Sequence, residues 1–394
     1  MASAFLRDFS FDKLIAPIQP NAFFDEYWEN EVLVVHRQAP SYYGDLLTIP
    51  ELDTAVAMAP GRLGLVPNSD EGSTDIQFAE NTATLNEMAL TELRRGGTLV
   101  LGHVEERLPN LALICRLLGQ EFGFQFRAAI YMTPPGSHAF KAHFDQTEVF
   151  VLQVLGSKQW RTEATRRVFP RTEEFDSGDT EMGPDHNEHD LHQGDLLYIP
   201  RGFVHDARSV DEPSVHITLR AEPPTWEDVL KATVKLAADK NEALKRALPI
   251  GFLNRSSDEL ASGLAARLAE IAAGEHLTDA TNLFADEYVT RFSPDIAGQV
   301  QMVFSGEPPG PNDLVGPRRG VVYRLQQADD TIAIRVGFRR IDFPDVLADQ
   351  LRFALETPSF AVRDLPGDLT DDEKAVFVER LVQEGLVERK DGDG

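Results

Sequence analysis

Cysteine is almost missing from this chain of 394 residues, where Cys115 stands alone. An internal disulfide and a thiolate metal cluster are thereby excluded. The run Leu111-Ala-Leu-Ile-Cys115-Arg-Leu-Leu has helical spacing, so the thiol reads as a core residue in a reducing compartment. Long apolar runs are missing too: none reaches the roughly 18 residues a bilayer-crossing helix needs, and no membrane association is expected. The opening Met1-Ala-Ser-Ala-Phe-Leu-Arg-Asp has no sustained apolar segment, which predicts no secretory signal and a cytoplasmic location. Basic residues are scarce, with 38 Lys and Arg against 64 Asp and Glu, a net charge of −26. That field repels phosphate backbones and anionic lipids, so nucleic acid is not an expected partner. The acidity reads either as a solubility device or as an attraction for a basic macromolecule.

What is present suffices for a buried core, since 42% of residues are hydrophobic and 9% aromatic. At about 150 residues per domain, the length suggests two or three domains. An amphipathic segment containing Phe23-Phe-Asp-Glu-Tyr-Trp-Glu runs into the β-rich Val32-Leu-Val-Val-His36, and helical spacing returns over 85–95 and 108–122. From Phe124 the pattern changes to short strands, at 126–132, 148–155, 159–162, 196–199 and 215–219, punctuated by Gly, Pro and Asp. Such spacing predicts an antiparallel sandwich or barrel. After Pro223-Pro224 the composition shifts to Ala, Leu, Lys and Glu, giving two or three helices between Trp226 and Phe292 with a break at Pro249-Ile-Gly251. A Gly/Pro-rich linker over 305–312 precedes a last unit whose end reads helix (345–356), turn, helix (370–384), then Gly385-Leu-Val-Glu-Arg, the outline of a winged helix. The acids Asp364, Asp368, Asp371, Asp372 and Glu373 favour a structural or docking role for it over DNA binding. The expected domains are 1–222, 223–303 and 313–394.

The chemistry concentrates in Tyr131-Met-Thr-Pro-Pro-Gly-Ser-His-Ala-Phe-Lys-Ala-His143-Phe-Asp145-Gln-Thr-Glu148 and the following Gly156-Ser-Lys158-Gln-Trp160. His143 and Asp145 lie two apart beside a strand, and a period of two points both side chains to one face. Further on, Gly194-Asp-Leu-Leu-Tyr-Ile-Pro-Arg-Gly-Phe-Val-His205 is a buried strand, a Pro/Gly turn and a histidine, the way a barrel returns a third ligand to one mouth. A single histidine is often a satisfied polar group. Two histidines and a carboxylate together are the facial triad of non-haem Fe(II) oxygenases, which leaves three coordination positions open.

With these motifs the chain resembles the JmjC-type, cupin-fold 2-oxoglutarate oxygenases, and among them the ribosomal-oxygenase branch, over nearly its whole length. The resemblance implies an α+β fold: a double-stranded β-helix (cupin/JmjC jelly roll), a helical dimerisation domain giving a homodimer, and a C-terminal winged helix. It implies His143, Asp145 and His205 as ligands of a catalytic Fe(II), with 2-oxoglutarate and O2 as cosubstrates. It implies Lys158 as the cation that grips the distal carboxylate of 2-oxoglutarate, a task an ammonium point charge can perform. Tyr131 and the alternating polar residues Ser214, His216 and Thr218 match positions lining the same pocket, although Tyr131 also reads as a barrel aromatic and His216 as a core histidine. Ala129 departs from the family, which often carries Asn there. His186, His189 and His192, spaced by three, could form a metal site on a helix turn, but their polar surroundings favour a loop.

The implied activity is hydroxylation of a protein or peptide side chain, such as Arg or His of a basic ribosomal protein, with release of succinate and CO2. The same chemistry on a natural-product precursor or small molecule is a second reading, and a non-catalytic cupin and winged-helix binding protein is a third. A demethylase reading lacks a methyl-lysine cage or reader segment in this sequence.

Overall fold

The computed structural model describes residues 4–58, 63–69, 77–78, 82–171, 180–273, 276–292, 295–305 and 308–390. The chain divides into two compact units, Met1–Pro223 and Pro224–Gly394. Among the described residues, no helix is long and apolar enough to cross a membrane.

The first unit contains β1 (Leu33–Val35), β2 (Leu63–Val66), β3 (Gln77–Phe78), β4 (Thr98–Leu101), β5 (Gln125–Thr133), β6 (Glu148–Leu155), β7 (Ser157–Glu163), β8 (His186–His192), β9 (Leu196–Ile199), β10 (His205–Arg208) and β11 (Ser214–Glu222). Eight strands form one sheet in the order β1-β9-β6-β11-β5-β4-β2-β3, and a second sheet runs β10-β7-β8. All the pairings recorded in these two sheets are antiparallel, and the architecture is a cupin-type jelly roll.

The inner strands of the large sheet are buried on both sides, which is why Val149-Phe-Val-Leu reads as a continuous apolar run rather than an alternation. Phe150, Leu152 and Val154 of β6 and Ile217, Leu219 and Ala221 of β11 pack into one core under the N-terminal helices. Val149 and Val151 turn the other way and join Trp160, Leu191, Leu197 and Phe203 in a smaller cluster between the sheets. Aromatic side chains fasten the lead-in to the outer face: Phe11 meets Phe122 edge-on at 4.7 Å, and Trp28 stacks on Tyr198 at 6.1 Å. Helix Pro109–Phe122 closes on Gly123, whose φ of 77° supplies the left-handed turn, and it buries Cys115.

β8 corrects the reading of the histidine-rich stretch, which is neither a loop nor a helix turn. As the edge of the small sheet it carries mostly polar residues, so it lacks the apolar alternation by which strands are recognised. In a strand His189 faces away from His186 and His192, and the three cannot share an ion. His189 instead bonds Thr162 Oγ1 at 3.0 Å.

The second unit begins with helices Trp226–Lys240, Ser257–Ala273, His276–Val289 and Gln299–Ser305. Thr225 caps the first through a reciprocal pair of bonds with Asp228. Of the linker over 305–312, residues 306–307 lie outside the described residues. Next come β12 (Leu314–Pro317), β13 (Tyr323–Gln327), β14 (Thr331–Val336) and β15 (Arg339–Pro344), then helix Ala348–Glu356, β16 (Phe360–Ala361), helix Asp371–Gln383 and β17 (Val387–Arg389). β12 lies between β16 and β17, while β13-β14-β15 form a separate meander. That meander has no counterpart in the sequence reading.

Candidate active site

β10 brings His205 beside the loop that carries His143. The two residues are clasped by reciprocal main-chain bonds, His143 N–H to His205 O at 3.0 Å and His205 N–H to His143 O at 2.8 Å. Asp145 is fixed through its carbonyl, which accepts from Gly202 N–H at 3.0 Å. Gly202 has φ 83°, and a Cβ there would lie 1.8 Å from Val168 O, so the turn that positions both Asp145 and His205 admits only glycine.

The candidate ligand atoms of His143, Asp145 and His205 all lie within 4.8 Å of one another. Each imidazole is oriented through its far nitrogen: His143 Nδ1–H donates to Lys141 O at 2.8 Å, and His205 Nδ1–H donates to Phe203 O at 3.0 Å. These bonds fix the tautomer that leaves Nε2 as a free lone pair, as metal-binding histidines require. Burial, reinforced by the neighbouring His143, pushes the His205 pKa down to about 4, so the ring is neutral and able to ligate. Burial works to raise Asp145, but Arg220, His205 and His143 outweigh it and hold the carboxyl below its ordinary range. Two imidazole nitrogens and a carboxylate on one side of a cavity fit a hard-to-intermediate divalent ion such as Fe(II).

The cavity beside them has a volume of about 540 Å³ and is lined by, among others, Tyr131, Lys158, Trp160, His216, Thr218 and Arg220. Lys158 is only 4% exposed. Its Nζ donates to Thr133 Oγ1 at 3.0 Å and faces the Trp160 ring at 6.0 Å, and burial lowers its pKa to about 7. Among the described residues no carboxylate pairs with it, so this end of the cavity is built for an anion. The buried Trp160 Nε1–H donor and the His216 ring nitrogen Nδ1 lack hydrogen-bond partners among the described residues, consistent with a wall that meets a bound polar group.

Tyr131 stacks on His216 at 4.7 Å with the rings 9° apart, and His216 and Thr218 line the cavity as the alternation predicts. Ser214 does not. It keeps the inner face, in unbroken register with β5 opposite Thr133, but its hydroxyl accepts from Gln153 Nε2 at 3.0 Å beyond the described lining of the cavity. Arg220 was missed: continuing the period of two from His216 through Thr218 reaches it directly. Its Nη2 donates to Tyr131 Oη at 3.0 Å. A second group of candidate ligands, His103, Glu105 and Glu106, has Arg127 Nη1 3.2 Å from His103 Nδ1, and that cation competes with any metal there.

A jelly roll carrying this triad at the mouth of its cavity is the architecture of the JmjC domain, and residues 105–229 match the model of that family. Among curated proteins, the chain is 31% identical over 256 residues to Ribosomal oxygenase 1 of Rattus norvegicus, covering 62% of this chain and 43% of that protein. It is 26% identical over 309 residues to the bifunctional lysine-specific demethylase and histidyl-hydroxylase NO66 of Caenorhabditis briggsae, covering 72% of this chain and 37% of that one. The chain thus spans less than half the length of these relatives. Among solved structures, YcfD, a ribosomal oxygenase from Escherichia coli, in complex with cobalt and 2-oxoglutarate, aligns with a TM-score of 0.58 at 16% identity, over 95% of this chain and 99% of that one. At that identity the likeness speaks for the fold.

Proposed function

We propose that this protein is an Fe(II)- and 2-oxoglutarate-dependent oxygenase that hydroxylates a side chain of a protein or peptide. The observation that carries the reading is the pairing, within one cavity, of a triad with free Nε2 lone pairs and a buried ammonium without an anionic partner. His143, Asp145 and His205 would hold the metal, and Lys158 with Thr133 would take the distal carboxylate of 2-oxoglutarate. Fe(II) with 2-oxoglutarate and O2 supplies the oxidising power to place oxygen on an unactivated C–H, with succinate and CO2 as coproducts. The chain supplies position and shelter. The backbone clasp and the Gly202 turn hold the ligands, Tyr131 and Trp160 wall the cosubstrate against water, and Lys158 fixes its far end.

The relatives named ribosomal oxygenases, together with the charge of −26, support a basic ribosomal protein as substrate, drawn in by long-range attraction. A natural-product precursor would meet the same cavity, and nothing in the chain favours it. We further propose three domains, 1–222, 223–303 and 313–394, with the helices pairing two copies and the last unit, a winged helix, as a docking module. The exposed apolar residues Trp226, Leu230, Leu264, Leu268 and Leu277 support self-association through those helices. Light scattering at micromolar concentration tests this, and a monomer would refute it.

The deciding experiment is succinate formation from 2-oxoglutarate by anaerobically purified protein reloaded with Fe(II), with His143→Ala as control. Turnover above the control supports the oxygenase. Neither turnover nor calorimetric binding of 2-oxoglutarate would leave the non-catalytic binding reading.

A further inference from the structure

The charges lining the cavity determine which side chain it can admit, an inference that rests on the oxygenase reading above. Among the described residues, two carboxylates line it. Asp145 is a candidate metal ligand, and Asp206 is committed to Arg161, whose Nε donates to it at 2.9 Å and whose Nη2 meets its other oxygen. Glu105, which is not among the lining residues, accepts from Ala128 N–H at 2.9 Å through one oxygen and has the other 3.4 Å from His103 Nδ1. No carboxylate of the described wall is therefore free to receive a cation.

Cations, by contrast, stand at both ends. Lys158 bonds Thr133, which pairs in register with Ser214, whereas Arg220 pairs with Arg127 at the far end of β11. With 2-oxoglutarate on Lys158, Arg220 is the cation left for the substrate. One of its Nη groups holds Tyr131 Oη, while its buried Nε–H has no hydrogen-bond partner among the described residues. Ala129, in register with Thr218 on the neighbouring strand, contributes only a methyl group. The negative charge Arg220 faces is Asp145, which is assigned to the metal, so a second cation brought here meets the guanidinium and the metal together, while the Arg220 Nε–H stays unsatisfied unless an acceptor arrives.

We propose that the group drawn beside the metal is uncharged or anionic, an amide, imidazole or carboxylate that accepts a hydrogen bond from Arg220, and that arginine and lysine side chains are refused. The acidic surface and the cavity then select different things. The surface attracts a basic protein, and the cavity takes a residue of that protein that is not itself basic.

The test uses the full chain loaded with Mn(II) and 2-oxoglutarate, and capped tripeptides Ac-Ala-Xaa-Ala-NH2 in which Xaa is Asn, Asp, His, Arg or Lys. Broadening of side-chain proton signals by the bound Mn(II) reports approach to the metal without any turnover. Mass gain of one oxygen after Fe(II) loading is the second readout. The Asn, Asp and His peptides should be broadened on the order of tenfold more than Arg and Lys. Arg220→Glu should invert that order, and the gentler Arg220→Gln should flatten it. Equal or stronger broadening of the Arg or Lys peptide by the wild type, no broadening of any peptide, or an order unchanged in both variants would overturn the proposal. Failure of the wild type to bind Mn(II) would instead overturn the oxygenase reading, so the two failures are distinct.

Discussion

The two faces of the large sheet are made by the same strands and do opposite work. On β11, Ile217, Leu219 and Ala221 disappear into a core of aliphatic and aromatic side chains, while His216, Thr218 and Arg220, their immediate neighbours, wall the cavity. The outer face is mostly interlocked apolar packing, and the inner one carries polar groups with unfilled hydrogen-bonding capacity. Stability is thus invested on one side of a layer one residue thick, and chemistry on the other.

Substitutions should separate the two. The largest effect is expected on the inner face, where His143→Ala, Asp145→Ala or His205→Ala should each reduce succinate formation to background with the unfolding midpoint little changed. Retained turnover in all three would break the comparison. On the outer face, Phe150→Ala should cost about 3–5 kcal/mol in a urea titration, because a fully buried ring leaves a cavity, while the folded fraction keeps its turnover. Next comes Lys158→Ala, expected to weaken 2-oxoglutarate binding on the order of 10- to 100-fold by calorimetry, the effect of losing a charge-assisted contact. In the wild type that affinity should fall as pH rises through about 7, where the unliganded ammonium loses its proton.

The smallest effect sharpens the comparison from the other side, because the outer face contains a buried carboxyl. Glu148 is fully buried, accepts from Tyr198 Oη, and has Arg201 Nε at 3.4 Å. Burial raises its pKa from 4.5 to about 7. The folded chain therefore holds this proton more tightly than the unfolded chain between those values. The contribution is fully present below pH 4.5 and is lost as pH rises through about 7. Glu148→Gln should flatten that decline in a series of urea titrations, and an unaltered slope would remove Glu148 as its cause.

Much of this was legible because it is local. The spacing of His143 and Asp145, the apolar run of β6 and the turn before His205 are readable from neighbours in the chain. What escaped depends on distant partners. β8 is a strand because Ser157 through Glu163 pair with it, and its own polar residues give no such sign. β1 was legible as a β segment, but not its partner β9, since Leu33 lies opposite Tyr198 and no window of sequence contains both. Ser214 lies on the right strand and the right face, yet its hydroxyl is taken by Gln153, a residue 61 positions away in the chain. Arg220 escaped for a simpler reason: the alternation that nominated its neighbours was not followed to the end of β11.

The reciprocal main-chain bonds between His143 and His205 have an evolutionary corollary. They set the separation of the two positions without using either side chain, so the frame is indifferent to what it displays. Exchange of the imidazoles for other donors would alter which ion is preferred, or whether one is held at all, while the scaffold kept its spacing. New chemistries can therefore arise here by replacing side chains alone, with the main chain serving as a permanent jig.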